Sequence, residues 1–337
     1  MILFGGAVVD IDGILKQFNQ RFEDEEACVS FLYELKWPNG FRCSECGYHH
    51  AYTIASRKQT LYECASCAKQ TTLTANTLFH KSRTPLSKWL LSLYIVTFYE
   101  KGVNAVQLQE LLSVTYKTAW NILHKIRQLV SGLDQTVLLS GFVKGKHEIL
   151  MKQAYPSDAY LEKERSVLTV LSENANTAYL KLKLLTRKVQ ARNRLSEEEV
   201  DRFLMRHTDE SLESAAINPR HQREYSFRTS FVESNESDVS ILSTGSSDSG
   251  ESLKSKNTKN TTANNASDYT KHLTRNGNFI SDLTARAFSW INDTFHGLGL
   301  KYIQHYLDEY CYRSNSLSGS IHDPFAKLSL QALFRAA

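Results

Sequence analysis

The chain has 337 residues, of which 42% are hydrophobic and 23% charged, close to globular norms of about 45–50% and about 25%. That excludes a wholly disordered chain, a collagen-like repeat and a small disulfide scaffold, and the length predicts about two domains with a small third. The formal net charge of +4 is uneven: residues 42–134 carry eleven Lys/Arg against five Asp/Glu, a net of +6, and the remainder sums to −2. The basic segment leans towards a polyanion partner, with an ordinary solvated basic face as the alternative.

Met1–Val9 is apolar but lacks a basic flank, and Asp10 and Asp12 follow at once, which is not the pattern of a cleaved signal peptide. The longest apolar stretch, Trp89–Tyr99, is interrupted by Ser92 and Thr97 and falls far short of the about 20 residues a membrane span needs. The expected compartment is the cytosol.

Four of the six cysteines form two CxxC pairs, Cys43/Cys46 and Cys64/Cys67, separated by seventeen residues. Each CxxC turn places two thiolates on one side, and two such turns complete a tetrahedron around zinc with Zn–S of about 2.3 Å. Four thiolates leave no open position, so the zinc would be structural. Disulfides and free thiols are the alternatives, and a cytosolic setting disfavours the first. The apolar and aromatic residues of Tyr52–Tyr62 predict a short hairpin between the two knuckles, giving a zinc-ribbon domain with a preceding helix over residues 15–80. His49 and His50 are predicted at the surface. Cys28 and Cys311 are isolated and predicted to pack as small hydrophobes.

From Thr84 to Tyr99 the apolar density predicts a buried helix with Pro85 at its start. Gly102 breaks it, and Asn104 caps a short helix carrying Val106, Leu108, Leu111 and Leu112. Ser113–Thr115 form a turn. Ala119, Ile122, Leu123, Ile126 and Leu129 then recur at helical spacing. Two short helices around a tight turn describe a helix-turn-helix over residues 84–133, whose second helix would lie in the major groove. Tyr116, Lys117, Thr118, Asn121, Lys125 and Arg127 are the residues predicted to meet bases or phosphates. A plain helical bundle joining two domains is the alternative.

These residues resemble bacterial insertion-sequence transposases with an N-terminal zinc ribbon and an ISXO-like DDE domain. The matching runs are Phe22-Glu-Asp-Glu-Glu-Ala-Cys28, Leu32 to Phe41 with the first CxxC, Gln70-Thr71, Thr77-Leu-Phe79, Thr84-Pro-Leu-Ser-Lys-Trp89, Tyr116-Lys-Thr-Ala-Trp120 and His124-Lys-Ile-Arg127. Coverage is nearly continuous from Leu15 to Leu129. A second patch comprises Trp290, Phe295 to Glu309 and Arg313. The resemblance implies a ribonuclease-H-like α/β domain, double-stranded DNA with terminal inverted repeats as partner, possible homodimers on paired DNA ends, a nucleoid-associated bacterial protein, and carboxylates that hold Mg²⁺ for in-line attack on phosphate.

The implied metal-binding positions are substituted. The window expected to carry the first carboxylate reads Gly141-Phe-Val-Lys-Gly-Lys-His147, with Lys146 where the Asp should stand. An ammonium group there opposes Mg²⁺. The second Asp should follow a strand pair, for which Val167–Val170 and Tyr179–Leu185 are the candidates, but no match follows in Arg187–Ser230: Asp201 and Asp209 sit with a Glu-rich helical pattern over Ser196–His207 and read as solvated helix charges. The third acid and its basic partner align with Ser281 and Phe288; shifting by one residue gives Asp282 and Ser289, which keeps the acid and loses the base.

The fold class expected is therefore α+β multidomain: ribbon, helix-turn-helix, a degenerate ribonuclease-H-like α/β region over 136–233, a disordered Ser/Thr/Asn-rich linker over 234–269, and a helical C-terminal part over 270–337, with a helix over Lys301–Tyr312. The leading functional expectation is a transposase-family DNA-binding protein inactive in strand transfer. The alternatives are an active transposase with displaced ligands such as Asp282 or Glu148, or a zinc-ribbon interaction module, or decayed gene product, that does not bind DNA.

Overall fold

The computed structural model describes residues 10–55, 60–150, 165–173, 178–185, 195–218, 279–295, 298 and 300–334. The predicted linker 234–269, and residues 187–194 and 219–230 of the stretch searched for a second Asp, lie outside them.

Two capped helices open the chain. In α1 (Ile11–Arg21) the Gly13 amide donates to Asp10 Oδ1 at 2.8 Å, and in α2 (Glu25–Lys36) the Ala27 amide donates to Asp24 Oδ1 at 2.8 Å. Each acidic cap satisfies an orphan N–H and complements the helix dipole. The ribbon follows as β1 (Ala51–Ile54), β2 (Leu61–Cys64) and β3 (Gln70–Thr72), antiparallel in the order β1-β2-β3. The predicted hairpin is β1–β2, and β3 adds a strand not foreseen from the sequence.

Then come α3 (Leu86–Phe98), α4 (Ala105–Leu112) and α5 (Tyr116–Thr136). Pro85 cannot cap α3 with a side chain; Glu25 does so from α2, accepting from the Leu86 and Ser87 amides at 2.6 and 3.0 Å. Asn104 and Gln107 form a capping box on α4. Ser113, in the left-handed region at φ 49°, turns the chain, and Thr115 caps α5.

A second sheet has the order β6-β5-β4-β7, from β4 (Leu139–Leu150), β5 (Arg165–Glu173), β6 (Ala178–Leu184) and β7 (Thr208–Asn218). β4, β5 and β6 pair antiparallel, whereas β7 runs parallel to β4 after a crossover through α6 (Glu197–His207). The predicted strands at 167–170 and 179–185 and the predicted helix at 196–207 are β5, β6 and α6. Asp201 is exposed on α6 as expected, but Asp209 belongs to β7, not to the helix.

Both faces of this sheet are covered. Val167 and Leu171 face α7 (Phe279–Phe295) and α8 (Ile303–Leu317), while Leu168 and Val170 face α6. Alternate residues of one strand thus serve opposite layers, so β5 reads as an almost continuous apolar run. The C-terminal helix expected over 301–312 begins as a 3-10 turn at Leu300–Tyr302 and extends to Leu317.

Apolar packing is continuous across residue 80. One apolar core runs from Ile14 and Leu32 through Tyr62, Phe79, Leu93 and Ile126 into Tyr312, Phe325 and Leu328. The last two belong to α9 (Pro324–Phe334), whose Ala332 carbonyl accepts from the Leu78 amide at 2.8 Å. Burial of Cys28 and Cys311 fits the prediction for both, and burial pushes the Cys28 thiol up to about 12.

The α3–α4 turn is locked to α7. Gly102 has φ 71°, and a Cβ added there would lie 2.7 Å from Trp290 Cζ2. Asn104 Nδ2 also donates to Thr294 O at 3.1 Å, and Thr294 Oγ1 to Lys101 O at 3.1 Å. Gly102→Ala combines a left-handed backbone penalty with overpacking against an indole, and is expected to cost about 2–4 kcal/mol. Chemical denaturation of the variant checks this; an unchanged midpoint would contradict the close approach.

Candidate zinc centre and nucleic-acid interface

The two CxxC knuckles converge. Cys43 Sγ lies 3.7 Å from Cys67 Sγ, Cys46 Sγ lies 3.5 Å from Cys64 Sγ, and all four sulfurs lie within 4.8 Å of one another. A tetrahedron with Zn–S of about 2.3 Å has S···S edges of about 3.8 Å, so the spacing fits. The Cys46 and Glu45 amides pull the Cys43 thiol down to about 6, and the Cys67 amide lowers Cys64. The Lys69 amide also pulls on Cys67, but the sulfurs of Cys46, Cys43 and Cys64, together with burial, outweigh it and push Cys67 up to about 12. Four sulfurs this close cannot all be thiolates without a cation, and a bound zinc would supply that charge. Among the described residues no other group of three or more His, Cys, Asp or Glu side chains has such geometry. His49 and His50 are exposed beside the centre.

The ribbon is anchored by aromatic packing. Trp37, Phe41 and Tyr62 are buried together, with Trp37–Phe41 and Trp37–Tyr62 ring centroids both 5.2 Å apart. Lys36 Nζ donates to Leu73 O at 2.6 Å, tying α2 to the strand exit.

Of the residues expected to meet DNA, Tyr116, Lys117, Asn121 and Lys125 are exposed along α5. Thr118 is half-buried, and its hydroxyl lies 2.9 Å from that of Thr115, so it serves the helix cap. Arg127 requires a correction. It is 3% exposed; its Nε donates to Glu309 Oε2 at 2.6 Å, and its guanidinium lies 4.2 Å from the Tyr306 ring centroid. A buried, paired guanidinium cannot reach a phosphate, so Arg127 is a framework residue. Its position four residues after Leu123 and three before Val130, on the inner face of α5, is the signal in the sequence that marks it as internal.

Arg127 belongs to a polar layer that sequence reading missed. Glu309 also accepts from Arg313 Nη2 at 2.6 Å, and Arg313 donates to the carbonyls of Ile95 and Tyr99 at the end of α3. Burial pushes Glu309 up, but Arg127 and Arg313 prevail and hold its carboxyl below the usual range. Beside it, Lys183 bridges Asp134 Oδ2 at 2.5 Å and Asp308 Oδ1 at 2.7 Å, and Lys181 Nζ donates to Asp134 O at 2.7 Å. These groups join α5, α8 and β6.

The positions aligned with the implied catalytic centre meet in space although 135 residues apart. Lys146 on β4 donates to Ser281 Oγ on α7 and lies 3.1 Å from Glu148 Oε1, while Ser281 Oγ donates to the same Glu148 oxygen at 2.9 Å. Asn218, at the end of β7, stands opposite Lys146 in the β4–β7 register. Phe288 packs into the apolar layer between α7 and the sheet. Asp282 is exposed, as is Ser289, whose hydroxyl donates to Asp293 at 2.9 Å. The inward-facing pair is thus Ser281/Phe288. One carboxylate neutralised by an ammonium does not fit a divalent cation, which needs several hard oxygen ligands.

No helix among the described residues is long and apolar enough to cross a membrane. No curated protein and no solved structure matches the chain. Residues 23–70, which hold α2 and both cysteine pairs, match the family model of the IS1595-type transposase zinc-ribbon domain, so the four-cysteine centre is that of a transposase-type ribbon.

Proposed function

We propose that the protein is a transposase-type duplex-DNA-binding protein that performs no metal-dependent strand transfer. The observation that carries the second half is the Lys146–Glu148–Ser281 cluster: Lys146 and Ser281, at two of the implied metal positions, bond to each other and to Glu148, and among the described residues no set of anionic oxygens gathers there. Binding is supported by the transposase-type ribbon and by the exposed Lys117, Asn121 and Lys125 on the second helix of a turn-linked pair. A ribonuclease-H-like ancestry is supported by the sheet, an antiparallel three-strand meander with a fourth strand parallel to the first across a helix. Lys and Arg contacts to phosphate would supply affinity and base-edge contacts from α5 would supply sequence preference.

The test mixes zinc-loaded protein with fragmented genomic duplex and Mg²⁺ and sequences the bound fragments with their ends mapped. Enrichment of one uncut motif is expected, lost in Lys117→Ala plus Asn121→Ala. Fragments cut at terminal repeats would refute the loss of strand transfer, and absence of enrichment would refute DNA binding. In parallel, Mn²⁺ titration followed by electron paramagnetic resonance is expected to show no bound ion until Lys146→Asp and Ser281→Asp are combined.

A further inference from the structure

We infer that Lys81, Arg83 and Lys88 form a phosphate-binding strip that flanks α5 and grips the DNA backbone beside the groove; this rests on the duplex-binding reading above. The eight residues from Lys81 to Lys88 hold three cations and no acid. Lys81 and Arg83 are exposed and Lys88 is half-exposed.

The tertiary structure joins this segment to the helix-turn-helix in two places. Lys88 Nζ lies 3.4 Å from Ser113 O, in the turn between α4 and α5. Trp89, buried beneath the strip, donates from Nε1 to Ser82 Oγ at 2.9 Å, and Lys125 Nζ of α5 sits 5.8 Å from its ring centroid. The indole therefore fixes the 81–84 loop beside the exposed side of α5. Glu25, the carboxylate that reaches this end of α3, is bound to the Leu86 and Ser87 amides, where the helix N-terminus offsets its charge.

Pairing separates these cations from the internal ones. Arg127, Arg313, Lys146, Lys181 and Lys183 all lie against carboxylates. Among the described residues, Lys81, Arg83, Lys88 and Lys117 have no carboxylate at ion-pair distance. Cations that keep their charge uncompensated beside a groove-reading helix are placed to displace the counterions of duplex DNA. The major groove is about 12 Å wide, so side chains flanking a helix seated in it meet the phosphates along its edge.

The experiment measures affinity of the full-length, zinc-loaded protein for a mixed-sequence duplex of about three helical turns, by fluorescence anisotropy across a salt series. The variant combines Lys81→Gly, Arg83→Ala and Lys88→Gln. Lys81 has φ 56°, so glycine relieves its backbone while removing the charge, and Lys81→Gly alone should melt at or above the wild-type temperature while binding more weakly. Each lost phosphate contact lowers the slope of log K against log salt by about 0.9, so the triple variant should lose about 2.7. Lys327→Ala, on α9, is the control and should leave the slope unchanged. If wild type binds and the triple variant keeps its slope, the strip is refuted and DNA binding stands. If wild type binds no duplex, both are refuted.

Discussion

Stripping zinc with a chelator is expected to unfold the segment from α2 to Phe79, with hydrogen exchange rising across residues 23–80. Structural zinc contributes about 10–16 kcal/mol in isolated zinc-finger peptides, whereas a sheet of four-, four- and three-residue strands is marginal by itself. The effect should spread beyond the sulfurs, because Phe41, Cys43, Tyr62 and Cys64 are buried in the same core as α3 and α5. Cys43→Ser and Cys64→Ser should each abolish stoichiometric zinc and lower the melting temperature alike, since removal of any one ligand opens the tetrahedron. Cys28→Ser and Cys311→Ser should keep one zinc per chain, measured by elemental analysis. Wild-type protein that folds and melts identically with and without zinc would refute the structural role.

The second large effect is expected at the buried ion cluster. Arg127→Ala should cost about 3–5 kcal/mol, because it leaves Glu309, fully buried, with one of its two guanidinium partners gone. Glu309→Ala should cost at least as much, since it strands both Arg127 and Arg313. Lys117→Ala, on the exposed side of the same helix, should change stability by no more than about 0.5 kcal/mol while weakening DNA binding. The contrast separates two cations ten residues apart on α5: one holds the helix on α8 and the other faces outward. Thermal and denaturant melts of the two variants, set beside their DNA affinities, check this. An Arg127→Ala protein that folds normally and loses only DNA binding would restore the assignment made from sequence.

The polar layer also fixes how α5 sits against the sheet. Asp134 at the end of α5, Lys181 and Lys183 on β6 and Asp308 on α8 occupy one buried patch. Because the groups are mutually neutralising, α5 has one preferred seat against the sheet, and a slip would leave charges buried and unpaired. The exposed N-terminal turns of α5 are thereby presented in a fixed orientation.

Local features of this protein were legible in the sequence because they depend on neighbours along the chain. The CxxC spacing announced the four-cysteine centre, the Asn104 cap and the apolar periodicity announced α4 and α5, and the apolar runs announced β5 and β6. The resemblance set Lys146 and Ser281 at two different positions of one implied site, and the fold brings these two residues into hydrogen-bond contact. What only the tertiary structure decided was which charges face inward. Arg127 and Lys125 are alike in composition, but one meets Glu309 from a helix 182 residues away and the other lies above Trp89 at the surface. Likewise Ser281, 135 residues further on, joins the Lys146–Glu148 pair of β4 because α7 packs against that strand. The reason is physical: a side chain's charge is local, but its burial and its partner are set by whichever distant element packs against it.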